Sequence, residues 1–486
     1  MCRLVEATGG LMLFNSFIFL IFLGVVLPVH RLLPRRYRNL FLLGASYVFY
    51  GYWDWRFLFL ILASTVLDFF VGRALYRAED RSRRKLLLLC SVAGNLGFLG
   101  FFKYFNFFVD SFADLAAVFG LQLDFVHLHI ILPVGISFYT FQTMSYTIDI
   151  YRGKFAPTNS FPNFALFVAF FPQLVAGPIE RAVHLLPQIE KKPVATRRDF
   201  DEGFALIVAG FFKKVMIGDT CGRIVDQVFA DPSIYSSPEL LMGLLLFAIQ
   251  VYADFSGYSN IARGTARFFG VHIMINFEQP YLSANITELW KRWHISLSLW
   301  VRDYVYIALG GNRKGSARTY LNIMIAMTLV GLWHGAMWTF VVWGALQGIF
   351  LCAHKLVLRG KKATVGFAYT TVGGLIVYIF KVIGTHALFL FGLLFFRSQS
   401  FGTAWYMLKR LVFWEGGLFT SQVIMITAAY YAVTIGLDLI EYWTKDHAYM
   451  IRVPPALRLG VYAATFGVTL VYMFQAPVYP FVYFQF

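Results

Sequence analysis

The chain has 486 residues, 58% of them hydrophobic and only 14% charged, so it cannot cover its own surface with polar groups in water. Its net charge of +16 would suit a nucleic-acid binder, but Lys and Arg cluster in short loops between apolar runs and not along a stripe or a tail. Composition excludes a soluble enzyme and leaves an integral membrane protein whose first partner is the lipid bilayer, with no nucleic acid.

Leu11 to Pro28 is the first apolar run, and Arg31 to Arg38 follow it where a cleaved signal would need small residues, so it reads as a first spanning helix. A crossing takes about 20 mostly apolar residues. By that test the runs lie near 11–29, 39–52, 56–75, 86–109, 130–150, 202–218, 239–257, 319–335, 338–354, 366–395, 421–441 and 459–475. The expected fold is all-α and polytopic, with about 11–12 transmembrane helices. The four cysteines, Cys2, Cys90, Cys221 and Cys352, are far apart and lack metal-ligand spacing, so neither a disulfide framework nor a zinc site is expected.

Seven basic clusters, Arg31 to Arg38, Arg73 to Lys85, Arg152 to Lys154, Arg181 to Arg198, Arg263 to Arg318, Lys355 to Lys362 and Lys445 to Arg458, hold about 32 of the 42 Lys and Arg residues. With the spans above they all fall on one face, which the positive-inside rule makes cytoplasmic, and both termini then lie outside. Phe161 to Ile179, broken by Pro172 and Gly177-Pro178, is flanked by basic loops on both sides and reads as re-entrant. Asn285 to Gly311, aromatic but carrying Lys291, Arg292, His294, Arg302 and Asp303, reads the same way. Together they suggest a cavity entered from the cytoplasm. Ala404 to Phe413, with Lys409 and Arg410 beside Trp405 and Tyr406, reads as a short interfacial helix on the outer face.

Two histidines stand out. His334, in Gly331-Leu332-Trp333-His334-Gly335, lies in an apolar run, where an ionisable group normally faces a cavity or a partner. His294, in Trp290-Lys291-Arg292-Trp293-His294, is either an interfacial imidazole or the second member of a catalytic pair. A buried neutral imidazole can take a proton from a hydroxyl attacking an acyl group, typically contributing about 10²–10⁴-fold. No nucleophilic serine or cysteine pattern surrounds either one. Trp290, Trp293 and Trp333 go with them as cavity lining, while Asp254 and Ser256 either line the cavity or cap a helix end. Arg292, Arg302, Arg313 and Lys314 are candidates for a phosphate-bearing donor, although loop cations are common on any cytoplasmic face. Tyr483 lies in a terminal aromatic run whose hydroxyl can reach back to the cavity.

The blocks Pro133-Val134-Gly135-Ile136-Ser137-Phe138, Phe171 to Ile179, Trp290 to Ser298 and Trp333-His334-Gly335, in this order, resemble the membrane-bound O-acyltransferase family and within it the AlgI-like alginate O-acetyltransferase branch. The resemblance covers about Met12 to Phe486 as one domain, with residues 1–11 an N-terminal extension. It implies helices ringed around a tunnel in a bacterial inner membrane, with His334 as the active-site histidine and His294 as the second, positioning or polarising the donor carbonyl. It also implies an acetyl thioester such as acetyl-CoA as donor substrate, no bound cofactor or metal, and an extracytoplasmic acetyltransferase partner that passes acetyl to polysaccharide. Phe481, Tyr483 and Phe486 fit a terminal pattern associated with a transiently acylated tyrosine. Asn260, Ala308 and Gln347 stand where the branch usually carries aspartate, proline and histidine. Acylation of peptidoglycan, teichoic acid or another glycan remains an alternative, as does a transporter that makes no bond.

Overall fold

The computed structural model describes residues 12–121, 127–175, 177–358, 361, 363, 365–366 and 371–484. The proposed extension at 1–11 and Phe486 lie outside them. No strand occurs among the described residues, and seven helical stretches are long and apolar enough to cross a membrane, which makes this a multi-pass membrane protein. Two of the seven, Arg35–Arg77 and Arg81–Val118, are near-continuous; the first takes in two of the apolar runs read from sequence, 39–52 and 56–75, and the second takes in one, 86–109. Other runs form helices that do not meet the same measure. Ile136–Tyr151 has only 16 residues, and Gly315–His334 carries Arg318, Asn322 and His334 along its 20.

Packing groups the chain into two compact units. One holds residues up to Phe200 together with Thr265–Met274. Its helices Leu58–Arg77, Arg81–Leu99 and Ile136–Tyr151 share a buried polar seam. Ser91 donates to Asp68 at 2.5 Å, Asn95 donates to Asp68 at 2.8 Å, and Ser64 donates to Asn95 at 2.7 Å. In hydrocarbon, where apolar contact does not favour one helix over lipid, such bonds select the neighbour. The Phe161–Ile179 segment of this unit has, among its described residues, no helix of the length a crossing takes. It forms helices Phe161–Ala169 and Phe171–Leu174, whose residues Phe164–Phe171 are all buried. The backbone freed at the break finds side chains: Gln142 and Gln173 both donate to the Phe167 carbonyl, at 2.5 and 2.8 Å, and the Phe171 N–H donates to Ser46 Oγ.

The second unit holds Asp201–Gly264 and Ile275–Phe486. Glycine sets its closest helix contacts. A Cβ at Gly331 would stand 2.2 Å from the Phe340 carbonyl oxygen and one at Gly344 2.3 Å from that of Met327, so Gly315–His334 and Trp338–Leu358 pack backbone to backbone. Gly257 does the same on the long helix Ser237–Arg267, where a Cβ would meet the Gly210 carbonyl and the Lys214 amide at 2.7 Å. The helix Phe401–Phe413 buries Ala404 and Met407 and leaves Trp405 and Phe413 exposed.

Candidate active site

His334 is the last residue of Gly315–His334, placed by the close contact that Gly331 makes with Trp338–Leu358. It is 3% exposed, and its ring centroid lies 5.0 Å from Trp333, 5.1 Å from Trp343, 5.2 Å from Phe396 and 5.1 Å from Tyr483.

His294 lies between the short helices Ile286–Arg292 and Ile295–Val301, with φ 42° and ψ 54°. A non-glycine residue in that left-handed region costs about 1–2 kcal/mol and needs surroundings that hold it. Here the Ile295 N–H donates to the Asn276 carbonyl and the Glu278 N–H to the Arg292 carbonyl, both at 2.9 Å, pinning residues 276–278 to the histidine turn. The Asn276 side-chain oxygen accepts from the Ser296 N–H at 3.2 Å and the Ser296 hydroxyl at 2.9 Å. It also faces His294 Nδ1 at 3.2 Å, so Nδ1 is the donor and carries the proton. Burial lowers the His294 pKa and keeps the ring neutral. The remaining nitrogen, Nε2, is therefore a lone pair, buried without a hydrogen-bond partner among the described residues. A neutral His294 in this tautomer accepts a hydrogen bond; it has no ring N–H left with which to polarise a carbonyl. The two histidine rings are 6.5 Å apart, and His294 also touches Phe255 at 4.7 Å and Trp333 at 5.8 Å.

Tyr483 joins this group from the far end of the chain. Its ring stacks on Phe481 at 5.4 Å and contacts Phe255 at 4.8 Å as well as His334. Asp254 serves this segment: its carboxylate accepts the Val482 N–H at 2.7 Å and pairs with buried Lys214 at 2.8 Å. Ser256 lines a small polar cavity, with room for about one water, together with Lys213, Asn276, Glu441 and His447.

The structure thus brings His294, His334, Trp333 and Tyr483 into one aromatic cluster, and the other candidates fall elsewhere. Trp293 is buried against Phe277 and Phe389, at 5.2 and 5.1 Å, and Trp290 donates to Gln347 at 3.3 Å. Arg292 is held by buried Glu288 at 3.0 Å and donates to the Glu278 carbonyl, so it braces the turn that carries His294. Arg302 pairs with Asp303 at 2.6 Å, while Arg313 and Lys314 are exposed in the loop before Gly315–His334. Sequence reasoning missed Asn276 and the buried cations Lys213 and Lys214. The signal for the lysines was present: two ionisable residues inside the apolar run 202–218. Asn276 has no such signal, because its importance comes only from what the fold sets beside it. Among the described residues no three His, Cys, Asp or Glu side chains group as metal ligands.

Residues 155–396 match the membrane-bound O-acyltransferase family. The probable alginate O-acetylase AlgI of Pseudomonas aeruginosa is 42% identical over 404 residues, covering 82% of this chain and 75% of the relative. That of Azotobacter vinelandii is 43% identical over 400 residues, covering 82% and 77%. The peptidoglycan O-acetyltransferase of Helicobacter pylori is 34% identical over 343 residues, covering 65% and 64%. Identity of this extent leaves no room for a transporter that makes no bond: the chain belongs to the membrane-bound O-acyltransferase family and is an O-acyltransferase.

Proposed function

We propose that this protein is a bacterial inner-membrane acetyltransferase that takes acetyl from a cytoplasmic thioester such as acetyl-CoA and sends it outward, through Tyr483, to an exopolysaccharide of the alginate type. The reading is carried by the contact between the His334 and Tyr483 rings, 5.1 Å between centroids, in a buried cluster that also holds His294. His334 takes the proton of the Tyr483 hydroxyl as the phenolic oxygen attacks the acetyl carbonyl. The new C–O bond forms as the C–S bond breaks, and the leaving thiolate takes the proton back from the imidazolium. His294, a hydrogen-bond acceptor in its neutral tautomer, orients a donor group. The product is a phenyl ester, and because a phenol is a more acidic leaving group than an alcohol it is better activated than an alkyl ester for a second transfer. An extracytoplasmic acetyltransferase partner then receives the acetyl group and passes it to the glycan. The alginate acceptor is supported by the relatives with the widest coverage, and peptidoglycan stands second through the Helicobacter relative.

The test is reconstituted protein in lipid vesicles with labelled acetyl-CoA, read by the intact mass of the peptide carrying Tyr483. Wild-type protein gains one acetyl group there; His334→Ala, purified as a folded protein, lowers its formation about 10²–10⁴-fold. Undiminished acetylation in His334→Ala removes His334 as the base, and Tyr483→Phe with full transfer to glycan removes the relay.

A further inference from the structure

Tyr483 reaches the histidines only because the chain around it is tied down, and the ties are ionic and buried. Lys214 lies fully buried on the π-helical stretch Phe212–Asp219, and its Nζ is 2.6 Å from Asp219 and 2.8 Å from Asp254. It also donates to the Tyr479 carbonyl at 3.4 Å. Asp254 spends its other oxygen on the Val482 N–H, one residue before Tyr483. A second tie lies a few residues upstream. The Tyr479 hydroxyl donates to Asp226 at 2.6 Å, Asp226 pairs with buried Arg397 at 2.6 Å, and Arg223 donates to the Pro477 carbonyl at 3.0 Å. Burying a lysine and two carboxylates in an apolar interior is expensive unless the ions are paired, as these are. The cluster has no part in the acetyl-transfer chemistry, yet one of its carboxylates ends on the backbone of the residue beside the relay.

We infer that the Lys214, Asp219 and Asp254 cluster positions the Tyr483 hydroxyl for acetyl transfer by fixing the Val482 amide. The inference rests on the relay reading above. Lys214 and Asp254 are positioning residues: they act through the backbone of Val482 and do not touch the reacting atoms. Asp254 needs its charge only to satisfy Lys214, whereas the Val482 N–H needs only an acceptor oxygen. The π-helical turn separates the tasks of the two adjacent lysines: Lys213 pairs with Glu441 at 2.6 Å, leaving Lys214 to serve the terminal segment.

Three variants of the full-length protein in vesicles test this, with labelled acetyl-CoA as the probe and two readouts: acetyl on the Tyr483 peptide and hydrogen exchange over residues 477–484. Val482→Pro removes the donated N–H at the first residue of the Val482–Phe484 turn, where the fixed φ of proline is tolerated, and leaves every buried charge in place. It is expected to lower the rate of Tyr483 acetylation about 10²-fold, the cost of misplacing a reacting group by about 1 Å, with the half-saturating acetyl-CoA concentration unchanged. Asp254→Leu is expected to do the same and to speed exchange over 477–484. Asp254→Asn, which keeps an acceptor oxygen, is expected to restore slow exchange and to stay within about threefold of wild type. Normal acetylation in both Val482→Pro and Asp254→Leu overturns the positioning role, as does a rise in half-saturating acetyl-CoA that accounts for the whole loss. If Asp254→Leu does not fold, Val482→Pro decides alone. Full glycan acetylation by Tyr483→Phe defeats the relay reading instead, and that result is distinct from full transfer in the positioning variants while Tyr483→Phe is inactive.

Discussion

Phe161–Leu174 and Ile286–Tyr306 are built alike: a break between short helices, many buried side chains, and no single helix of the length a crossing takes. Their polar groups do different work. In the first segment Gln142 and Gln173 donate to the Phe167 carbonyl and Ser46 accepts the Phe171 N–H, which closes the break and leaves only an amide oxygen, Gln173 Oε1, without a partner among the described residues. In the second, Asn276 takes up the Nδ1–H of a histidine and the Ser296 donors, and a ring nitrogen is left over. Burial, irregular backbone and one unmatched polar atom are therefore common to both, and what separates them is the group that holds it: an amide oxygen, which can only accept a hydrogen bond, in the first, and an imidazole nitrogen, which can also take a proton, in the second.

The sharpest way to break that distinction is at Asn276. Asn276→Leu strips the acceptor from His294 Nδ1–H and from both Ser296 donors, and buried donors left unmet cost about 1–3 kcal/mol each. The tautomer is then no longer selected, and acetyl transfer is expected to fall about 10–10²-fold, at 1.4 kcal/mol for each factor of ten. Asn276→Asp retains the acceptor and should recover most of the rate. If leucine and aspartate behave alike, the Asn276 contact is packing and the second segment is no different in kind from the first.

Smaller in its effect on catalysis is the reciprocal change in the first segment. Gln173→Leu removes one of two donors to the Phe167 carbonyl while Gln142 still meets it, so about 0.5–1.5 kcal/mol of stability should go, visible as a lower midpoint of thermal unfolding in detergent. Transfer per folded molecule should remain at the wild-type level. A loss of rate without a loss of stability would place a functional role in Phe161–Leu174 and dissolve the contrast.

Both segments were legible in the sequence as stretches that do not form one long helix, because prolines and charges interrupt the apolar runs. His294 and His334 were legible for a related reason, since imidazoles are costly at membrane depth. The count of spans was less so. The break between Arg35–Asp54 and Leu58–Arg77 is a single turn at Trp55–Phe57, which hydropathy does not resolve into a loop. Asp254 was noticed for its polar surroundings, but its partner Lys214 is 40 residues away and Val482 is 228, and only packing brings the three together. Cations were the hardest to assign. Composition shows that Arg292 is basic; it cannot show that Glu288, one helical turn back, has already claimed it.

That last point leads to the smallest expected effect. Of the four cations considered for the thioester donor, Arg292 is buried in an ion pair and Arg302 is matched by the adjacent Asp303, whereas Arg313 and Lys314 stand in solvent beside the Gly310-Gly311 turn. An exposed cation meeting a phosphate in water gains little, about 0–1 kcal/mol, and the gain is screened by salt. Arg313→Ala and Lys314→Ala should therefore raise the half-saturating acetyl-CoA concentration by no more than about fivefold each, more in low salt than in high, with the maximal rate unchanged. Arg292→Ala should behave differently, because it leaves Glu288 buried without its cation and loosens the turn that carries His294. Its loss should fall on the maximal rate and on stability and should resist salt. A large, salt-sensitive donor defect in Arg292→Ala, with none in Arg313→Ala or Lys314→Ala, would move the donor's phosphate contact from the exposed loop to the bracing arginine.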